Sequence, residues 1–374
     1  MLISVILPVY NVSDYIEACL DSLLHQSIGQ EKIEVILIDD CSTDDSVAKM
    51  RNYEQQFSHF KLYQCPVNYG APGKPRNIGV AQATGDFLHF MDSDDILASD
   101  AYEQLLASMG DQDDFAMGKM VSFNEDGSTF QHVTFKEYKL NKTYEHVKLD
   151  DVPFFSQVKV GVVLKLIRKS FYDAHHISFV EGLRNGEDKL VDTLLYTQAQ
   201  SFSYTPQIIY YYRNRDTGDN KSITHQDVMR SIENDIAAYH ICKPFYNKEQ
   251  LQFFKINALR SIFWKVLDQE FYLIDNSQKL KIFTELFDIV NHYEPRIFNL
   301  YLRHELPIIH LIQQREYELA ISYAALLEAR RRYFYSATAL QAKAAEIKRF
   351  KSSKSYKLHR LVTTIKRTIG LKQR

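Results

Sequence analysis

Four short strand-like runs, at residues 4–9, 34–38, 61–65 and 87–91, constrain this chain more than any other feature. Between them lie stretches with apolar residues at helical spacing. Tyr15, Ile16, Cys19, Leu20, Leu23 and Leu24 form the first, behind a cap at Ser13 or Asp14; residues 47–57 and 76–83 form the next two. Run 87–91 is long enough for one buried strand and too short for a helix. Strands of this kind alternating with helices predict a mostly parallel sheet covered on both faces, an α/β fold of Rossmann-like character.

Each run ends in polar residues: Tyr10 and Asn11, Asp39 and Asp40, Asn68, then Asp92, Ser93 and Asp94. The carboxyl ends of such strands line a crevice where open α/β sheets bind ligands, here expected to be a nucleotide. Asp92 and Asp94, one residue apart, are hard oxygen ligands suited to Mn²⁺ or Mg²⁺, and such an ion would hold a diphosphate. Aspartates here also serve simply to end a strand and cap the next helix. Neither GxGxxG nor GxxxxGK[ST] occurs, which disfavours a dinucleotide fold or a P-loop. The glycine- and proline-rich segment 68–77 brings Lys74 and Arg76 to a helix start, where N–H groups favour anions. It reads either as a diphosphate-binding loop or as a rigid surface turn with two solvated cations.

Several ordered motifs resemble the N-terminal half of the family 2 glycosyltransferases, inverting, nucleotide-sugar-dependent enzymes of the GT-A fold. They are Ser4-Val-Ile-Leu-Pro-Val-Tyr-Asn11, Cys19-Leu-Asp-Ser-Leu23, Ile38-Asp-Asp-Cys-Ser-Thr-Asp44, Pro75-Arg-Asn-Ile-Gly79 and Gly85-Asp-Phe-Leu-His-Phe-Met-Asp-Ser-Asp94. The Pro-Gly-Lys-Pro-Arg-Asn loop looks most like bacterial enzymes that glycosylate wall teichoic acid or build capsular polymers. Cys41 departs from the family, which usually has Gly or Asn after the paired aspartates.

The resemblance implies roles residue by residue. Asp188, in the Glu187-Asp188 pair at the start of a helix, becomes the catalytic base, although a carboxylate there also offsets the helix dipole. Asp94 with Asp92, and His225 after the polar loop, would complete a metal shell. Asp40, or else Asp39, would accept a hydrogen bond from uracil. Pro8 and Tyr10 would shape the base pocket beside Asn11 and Asn68. Asp92 and Ser93 would face the ribose, and Arg76 the phosphates. Arg213, Arg215 and Lys221 would close over the diphosphate. The expected reaction moves a sugar (GlcNAc, glucose or galactose) from a UDP-sugar to a hydroxyl of a teichoic acid or capsular polysaccharide. Two rivals are a sugar nucleotidyltransferase, whose glycine-rich phosphate loop is missing, and a non-catalytic scaffold for envelope-polymer assembly.

The length of 374 residues allows two or three packed units. The expected division is a catalytic domain at 1–226 (nucleotide half 1–110, acceptor half 111–226), a helical appendix at 227–350 and a basic tail at 351–374. Strand signals in the acceptor half fall at 115–123, 129–135, 158–166, 201–205 and 208–213. The appendix is predicted from Leu, Ile and Phe at helical spacing, and self-association is one use for it. Four cysteines without CxxC spacing are expected as free thiols. No signal-peptide pattern or 18-residue apolar run is present, so an intracellular protein is expected, with no nucleic-acid partner. Residues 341–374 carry eleven Lys/Arg against Glu346 alone, so a net charge of −2 leaves −12 on the first 340. Within that tail Leu358, Leu361, Val362, Ile365 and Ile369 share one helical face flanked by Lys357, Arg360, Lys366 and Arg367. A helix lying on an anionic inner leaflet fits this pattern, as does a solvated or docked terminal helix. Deleting 355–374 is therefore expected to abolish co-flotation with anionic vesicles while leaving activity on a soluble acceptor intact. Undiminished flotation would remove the membrane role.

Overall fold

The structure is a computed structural model, and it describes residues 1–131, 134–135, 140–158, 161–183, 185–215 and 227–352. Strands β1 (Ile3–Val9), β2 (Ile33–Asp39), β3 (His59–Gln64) and β4 (Phe87–Phe90) are parallel and lie in the order β3-β2-β1-β4. Helices α1 (Ile16–Leu24), α2 (Ser46–Arg51) and α3 (Gly73–Gln82) make the crossovers. Every residue of β2 and β4 is buried, as continuous apolar runs require in a sheet covered on both sides.

The sheet continues as β4-β9-β6-β10-β5. These strands are β5 (Ile96–Leu97), β6 (Phe115–Phe123), β9 (Lys165–Arg168) and β10 (Phe202–Arg213), with β7 (Thr129–Phe130) and β8 (Tyr144–Val147) at the side. Here the pairing is mixed: β6 and β10 are parallel, whereas β9 runs antiparallel between β4 and β6. Helices α4 (Ala101–Ser108), α5 (Lys169–Ala174) and α6 (Lys189–Gln198) belong to this half. The rest of the described chain is helical: α7 (Val228–Cys242), α8 (Lys248–Val266), α9 (Asn276–Val290), α10 (Pro295–Tyr301), α11 (Leu306–Gln313) and α12 (Tyr317–Ser352).

Local expectations differ from the structure in five places. Helix α1 has Tyr15 at its N-cap and no side-chain cap, in place of a cap at Ser13 or Asp14. The helix expected at 47–57 stops at Arg51, and turns carry Tyr53 and Phe57 into the core, with Tyr53 Oη donating to Asp21. The strand expected at 129–135 ends at Phe130. The strand expected at 158–166 is instead a 3-10 turn (Val162–Leu164) followed by β9, which starts on a fully buried Lys165 paired with Asp192. Strands 201–205 and 208–213 are one strand, β10, with register shifts between Tyr204 and Tyr210. Pro206 lies in that shifted region, where a residue without an N–H is tolerated.

Helix α3 carries Lys74 and Arg76, so its seat on the sheet positions the candidate site. Gly79 sets that seat, because a Cβ there would lie 2.4 Å from Cγ2 of the fully buried Ile6 in β1. A β-branched side chain in a central strand has little room to yield. Gly79→Ala is expected to cost about 1–3 kcal/mol in urea unfolding, the usual penalty for overpacking. An unchanged midpoint would mean that α3 can slide without loss.

Candidate active site

The ends of β1 and β2 are tied together by their own loops. Asn11 adopts a left-handed φ of 49°, its N–H donates to Ser42 Oγ (3.0 Å), and its Oδ1 accepts from Thr43 N (2.8 Å). Asp39 accepts from Ser42 N, and Asp40 N donates to the Val9 carbonyl. Cys41 has a φ of 63°, the left-handed region that favours Gly or Asn, and its Sγ donates to the Cys65 carbonyl. Pro8 is half-buried at the end of β1, and Tyr10 next to it is exposed, free to stack on a planar ring.

Asp40 is buried, and each of its carboxylate oxygens takes a backbone N–H from the following loop: Tyr69 N at 2.8 Å and Gly70 N at 3.1 Å. Asn68 reinforces this by donating to the Asp40 carbonyl. The residue expected at uracil thus also shapes the glycine-rich loop. Each oxygen retains a further lone pair for a base N–H.

Arg76 lies in the second half of the loop, inside the first turns of α3 and 4% exposed. Its Nη1 donates to Glu187 Oε1 (2.6 Å), its Nη2 donates to Asp92 Oδ1 (2.7 Å), and its guanidinium lies over the Phe179 ring. This differs from the expected role as a phosphate clamp. A guanidinium buried this deeply needs countercharge, and two carboxylates supply it. Lys74 is more exposed and pairs with Glu181 at 3.1 Å. Gly73, at the head of α3, faces the Val180 carbonyl, which a Cβ would approach to 2.5 Å.

At the far side of the crevice, Asp94 pairs with Arg215 (2.8 Å), and its carbonyl accepts from Arg213 Nε (2.8 Å). Arg213 N donates to Asp95 Oδ1, and both guanidiniums lie against Tyr15. Burial pushes the Asp94 carboxyl up, Arg215 opposes this, and the charge of Asp92 adds to it. Asp95 is buried with its Oδ2 unpartnered. Ser93, between these aspartates, is buried as well. Asp92 and Asp94 offer hard carboxylate oxygens, but among the described residues no group of three or more acidic, His or Cys side chains converges as a metal shell. Lys221 and His225, expected at the phosphates and the metal, lie outside the described residues.

Gly186, with φ 78°, turns the chain into Glu187 and Asp188. Glu187 is buried against Arg76, and burial together with the charge of Asp188 pushes its carboxyl up to about 7 against the pull of Arg76. Asp188 occupies the N-cap position of α6 but makes no capping hydrogen bond, and its carboxylate is half-buried. Among the described residues its side chain has no hydrogen-bond or ion-pair partner. One turn further on, Asp192 pairs with Lys165 (2.9 Å) and is pushed up to about 6 by burial. Gly161 makes room for it, since a Cβ there would fall on its Oδ2.

The helical region also reaches this loop. Asp235 of α7 is 2% exposed and pairs with Lys189 (2.9 Å), the residue after Asp188, and with Lys265 of α8, while Ser261 donates to the same carboxylate. Asn185 bonds the Ser231 carbonyl and accepts from Asn234. Sequence reasoning missed Asp192, Lys165, Lys189 and Asp235. For Asp192 the available signal was charge on an otherwise apolar helical face; Lys165, Lys189 and Asp235 carried none.

Residues 4–171 match the family described as Glycosyl transferase family 2. A poly(ribitol-phosphate) beta-glucosyltransferase of Bacillus spizizenii is 32% identical over 229 residues, 60% of this chain and 34% of that protein. The poly(ribitol-phosphate) beta-N-acetylglucosaminyltransferase TarS of Staphylococcus aureus is 30% identical over 243 residues, covering 63% of this chain and 40% of that one. The matches thus span two-fifths or less of the length of these relatives. The crystal structure of S. aureus TarS 1–349 in complex with UDP-GlcNAc superposes with a TM-score of 0.68 at 25% identity, over 89% of this chain and 92% of that one.

Burial opposes ionisation of Asp235, but Lys189 and Lys265 outweigh it and hold the carboxyl well below the usual range. Its contribution to stability is thus present above the unfolded carboxylate value near ~3.9 and is lost as pH falls below that. Asp235→Asn, which strands two buried ammoniums, is expected to cost about 3–5 kcal/mol at pH 7 in urea unfolding. The gap from wild type should narrow as the pH is lowered through 4 to 3. A gap independent of pH would show that the charge of Asp235 is not what stabilises this junction.

Proposed function

From a chain that carries a glycosyl transferase family 2 domain at residues 4–171, we propose an inverting transferase that moves a sugar from a UDP-sugar to a hydroxyl of a teichoic-acid-like polymer. The observation that carries this reading is the Asp188 carboxylate, unpartnered among the described residues and held beside the Glu187–Arg76–Asp92 bridge at the carboxyl edge of the sheet. UDP-GlcNAc on the structurally similar TarS and the poly(ribitol-phosphate) names of the relatives support the donor and acceptor classes. GlcNAc, glucose and galactose are the sugars we propose, and a capsular polysaccharide is the other acceptor class.

In this reading the uracil hydrogen-bonds Asp40, with Asp39 behind it, and stacks on Tyr10 between Pro8, Asn11 and Asn68. The ribose meets Asp92 and Ser93. Asp94 and Asp92, joined by His225, would hold Mn²⁺ or Mg²⁺, whose chemistry at this place is to offset diphosphate charge. Lys74, Arg213, Arg215 and Lys221 add positive charge around the same phosphates. Arg76 acts one step removed, by fixing Asp92 and Glu187. Asp188 accepts the proton of the acceptor hydroxyl as its oxygen bonds to the anomeric carbon. The bond from that carbon to the diphosphate oxygen breaks on the opposite face, and UDP leaves with the electron pair. No enzyme nucleophile is needed.

No helix among the described residues is long and apolar enough to cross a membrane. We place the reaction at the cytoplasmic face, with the tail, which lies outside the described residues, as the contact to anionic lipid. The test is Asp188→Asn assayed with UDP-GlcNAc, UDP-glucose and UDP-galactose on a ribitol-phosphate polymer. Transfer should fall by roughly 10²-fold or more, the usual worth of a general base, while UDP affinity by calorimetry stays unchanged. Near-wild-type transfer would overturn the assignment of the base.

A further inference from the structure

Away from the crevice, where α7 ends and α8 begins, a cavity of about 210 Å³ is lined by Lys243, Lys248, Gln252, Lys255, Asp288 and His292 among others. Three ammoniums therefore face a single carboxylate. Asp288 is already engaged by Lys243 at 2.9 Å and lies 3.7 Å from His240. Lys255 is 4% exposed, and among the described residues its Nζ donates only to the main-chain carbonyls of Asn291 and His292, neither of which carries a full countercharge. Burial and the charge of Lys243 accordingly pull Lys255 down to about 8, against the opposing effect of Asp288. Lys248 is exposed and forms no ion pair among the described residues. Helix α8, 19 residues long, begins here and adds the positive end of its dipole. The pocket thus has spare positive charge at rest, and its volume exceeds the ~30 Å³ share of one water several-fold.

We propose that this pocket binds a phosphate group of an anionic polymer, with Lys243, Lys248 and Lys255 as its charge-bearing contacts. A phosphate offers oxygens on several sides, which suits ammoniums converging from different helices. The cavity has room for the flanking alcohol carbons of a phosphodiester. Lys243 follows Asp235, the buried anchor behind the Asp188 loop, by eight residues, just past the end of α7, so at the helical rise it lies roughly 12 Å along the helix from that anchor. The pocket therefore lies outside the crevice, and a chain of repeated phosphodiesters is long enough to reach from one place to the other. The pocket gives the polymer a second grip, which holds it between successive transfers. Its existence stands on its own residues; the polymer's role as acceptor rests on the transferase reading above.

The experiment titrates the full chain, without donor, with a synthetic glycerol-phosphate hexamer and separately with inorganic phosphate, by calorimetry at low and high salt. Lys248→Glu is the main variant, since Lys248 is exposed and its replacement leaves the fold intact; Lys243→Gln is the second. The hexamer should bind and weaken with salt, and each variant should lose about tenfold in affinity, the worth of one charge-assisted hydrogen bond. UDP affinity should not change. With a long acceptor, KM should rise about tenfold in Lys248→Glu while kcat stays constant, and a single ribitol phosphate should be unaffected. Hexamer affinity unmoved by both variants would overturn the site. Inorganic phosphate binding as tightly as the hexamer would overturn the polymer as its source. Because binding is read without donor, a failed transfer assay would leave this result standing.

Discussion

The buried guanidinium of Arg76 is the constraint on which the site depends. It reaches Asp92 at the end of β4 with one nitrogen and Glu187 on the loop before α6 with the other. Those two residues are 95 positions apart in the chain. Without that positive charge, Asp92, Glu187 and Asp188 would converge as unshielded carboxylates at the bottom of a cleft. Desolvating an ion costs several kcal/mol, so such a cluster forms only with countercharge built in. The upward push on Glu187, with Arg76 pulling against it, is the local sign of this balance. Close backbone approach completes the arrangement. Gly73 lets the head of α3 lie against the Val180 carbonyl, and Asn77 exchanges hydrogen bonds with the main chain of Phe179.

The helical region holds the same loop from the other side. Asp235 takes Lys189, one residue past Asp188, and the Asn185–Ser231 and Asn234–Asn185 bonds secure the turn that precedes it. Helix α8 contributes Lys265 and Ser261 to Asp235, so two helices converge on one carboxylate behind the loop. A buried ion cluster of this kind is weak as a source of stability relative to apolar packing, but it fixes one arrangement out of several. Loosening that junction by an ångström would misplace the Asp188 carboxylate, which in the proposed reaction meets the acceptor hydroxyl. The helices are therefore part of how the site is built.

The strand–helix alternation of the first 90 residues was readable because continuous apolar runs and helical spacing are local signals. The aspartates at strand ends were readable for the same reason. Asp188 was legible only through resemblance to a family, since a carboxylate at a helix start is otherwise an ordinary feature. Cys41 was noted as a departure from Gly or Asn, and its φ of 63° gives the reason for that preference. The strand expected at 158–166 began too early, because the apolar residues Val162–Leu164 form a 3-10 turn, and the burial of Lys165 depends on Asp192, 27 residues away. Asp235 was invisible in the sequence because its cation Lys189 lies 46 residues away. Long-range charge pairs leave no periodicity, and they are what the fold adds to the motifs.

Partnering also separates the base from its neighbours. Glu187 and Asp92 are held by Arg76, Asp94 by Arg215, Asp192 by Lys165, and Asp235 by two lysines. A carboxylate fixed in this way has a set geometry, with oxygens already engaged by its cation. Asp188 stands among them half-buried, with its lone pairs uncommitted to the described protein. The surrounding ion pairs hold the backbone on either side of it while leaving its oxygens open. A general base needs both a fixed position and a free acceptor atom. Of these six carboxylates, Asp188 alone combines the two, and for that reason it is the one we propose as the base.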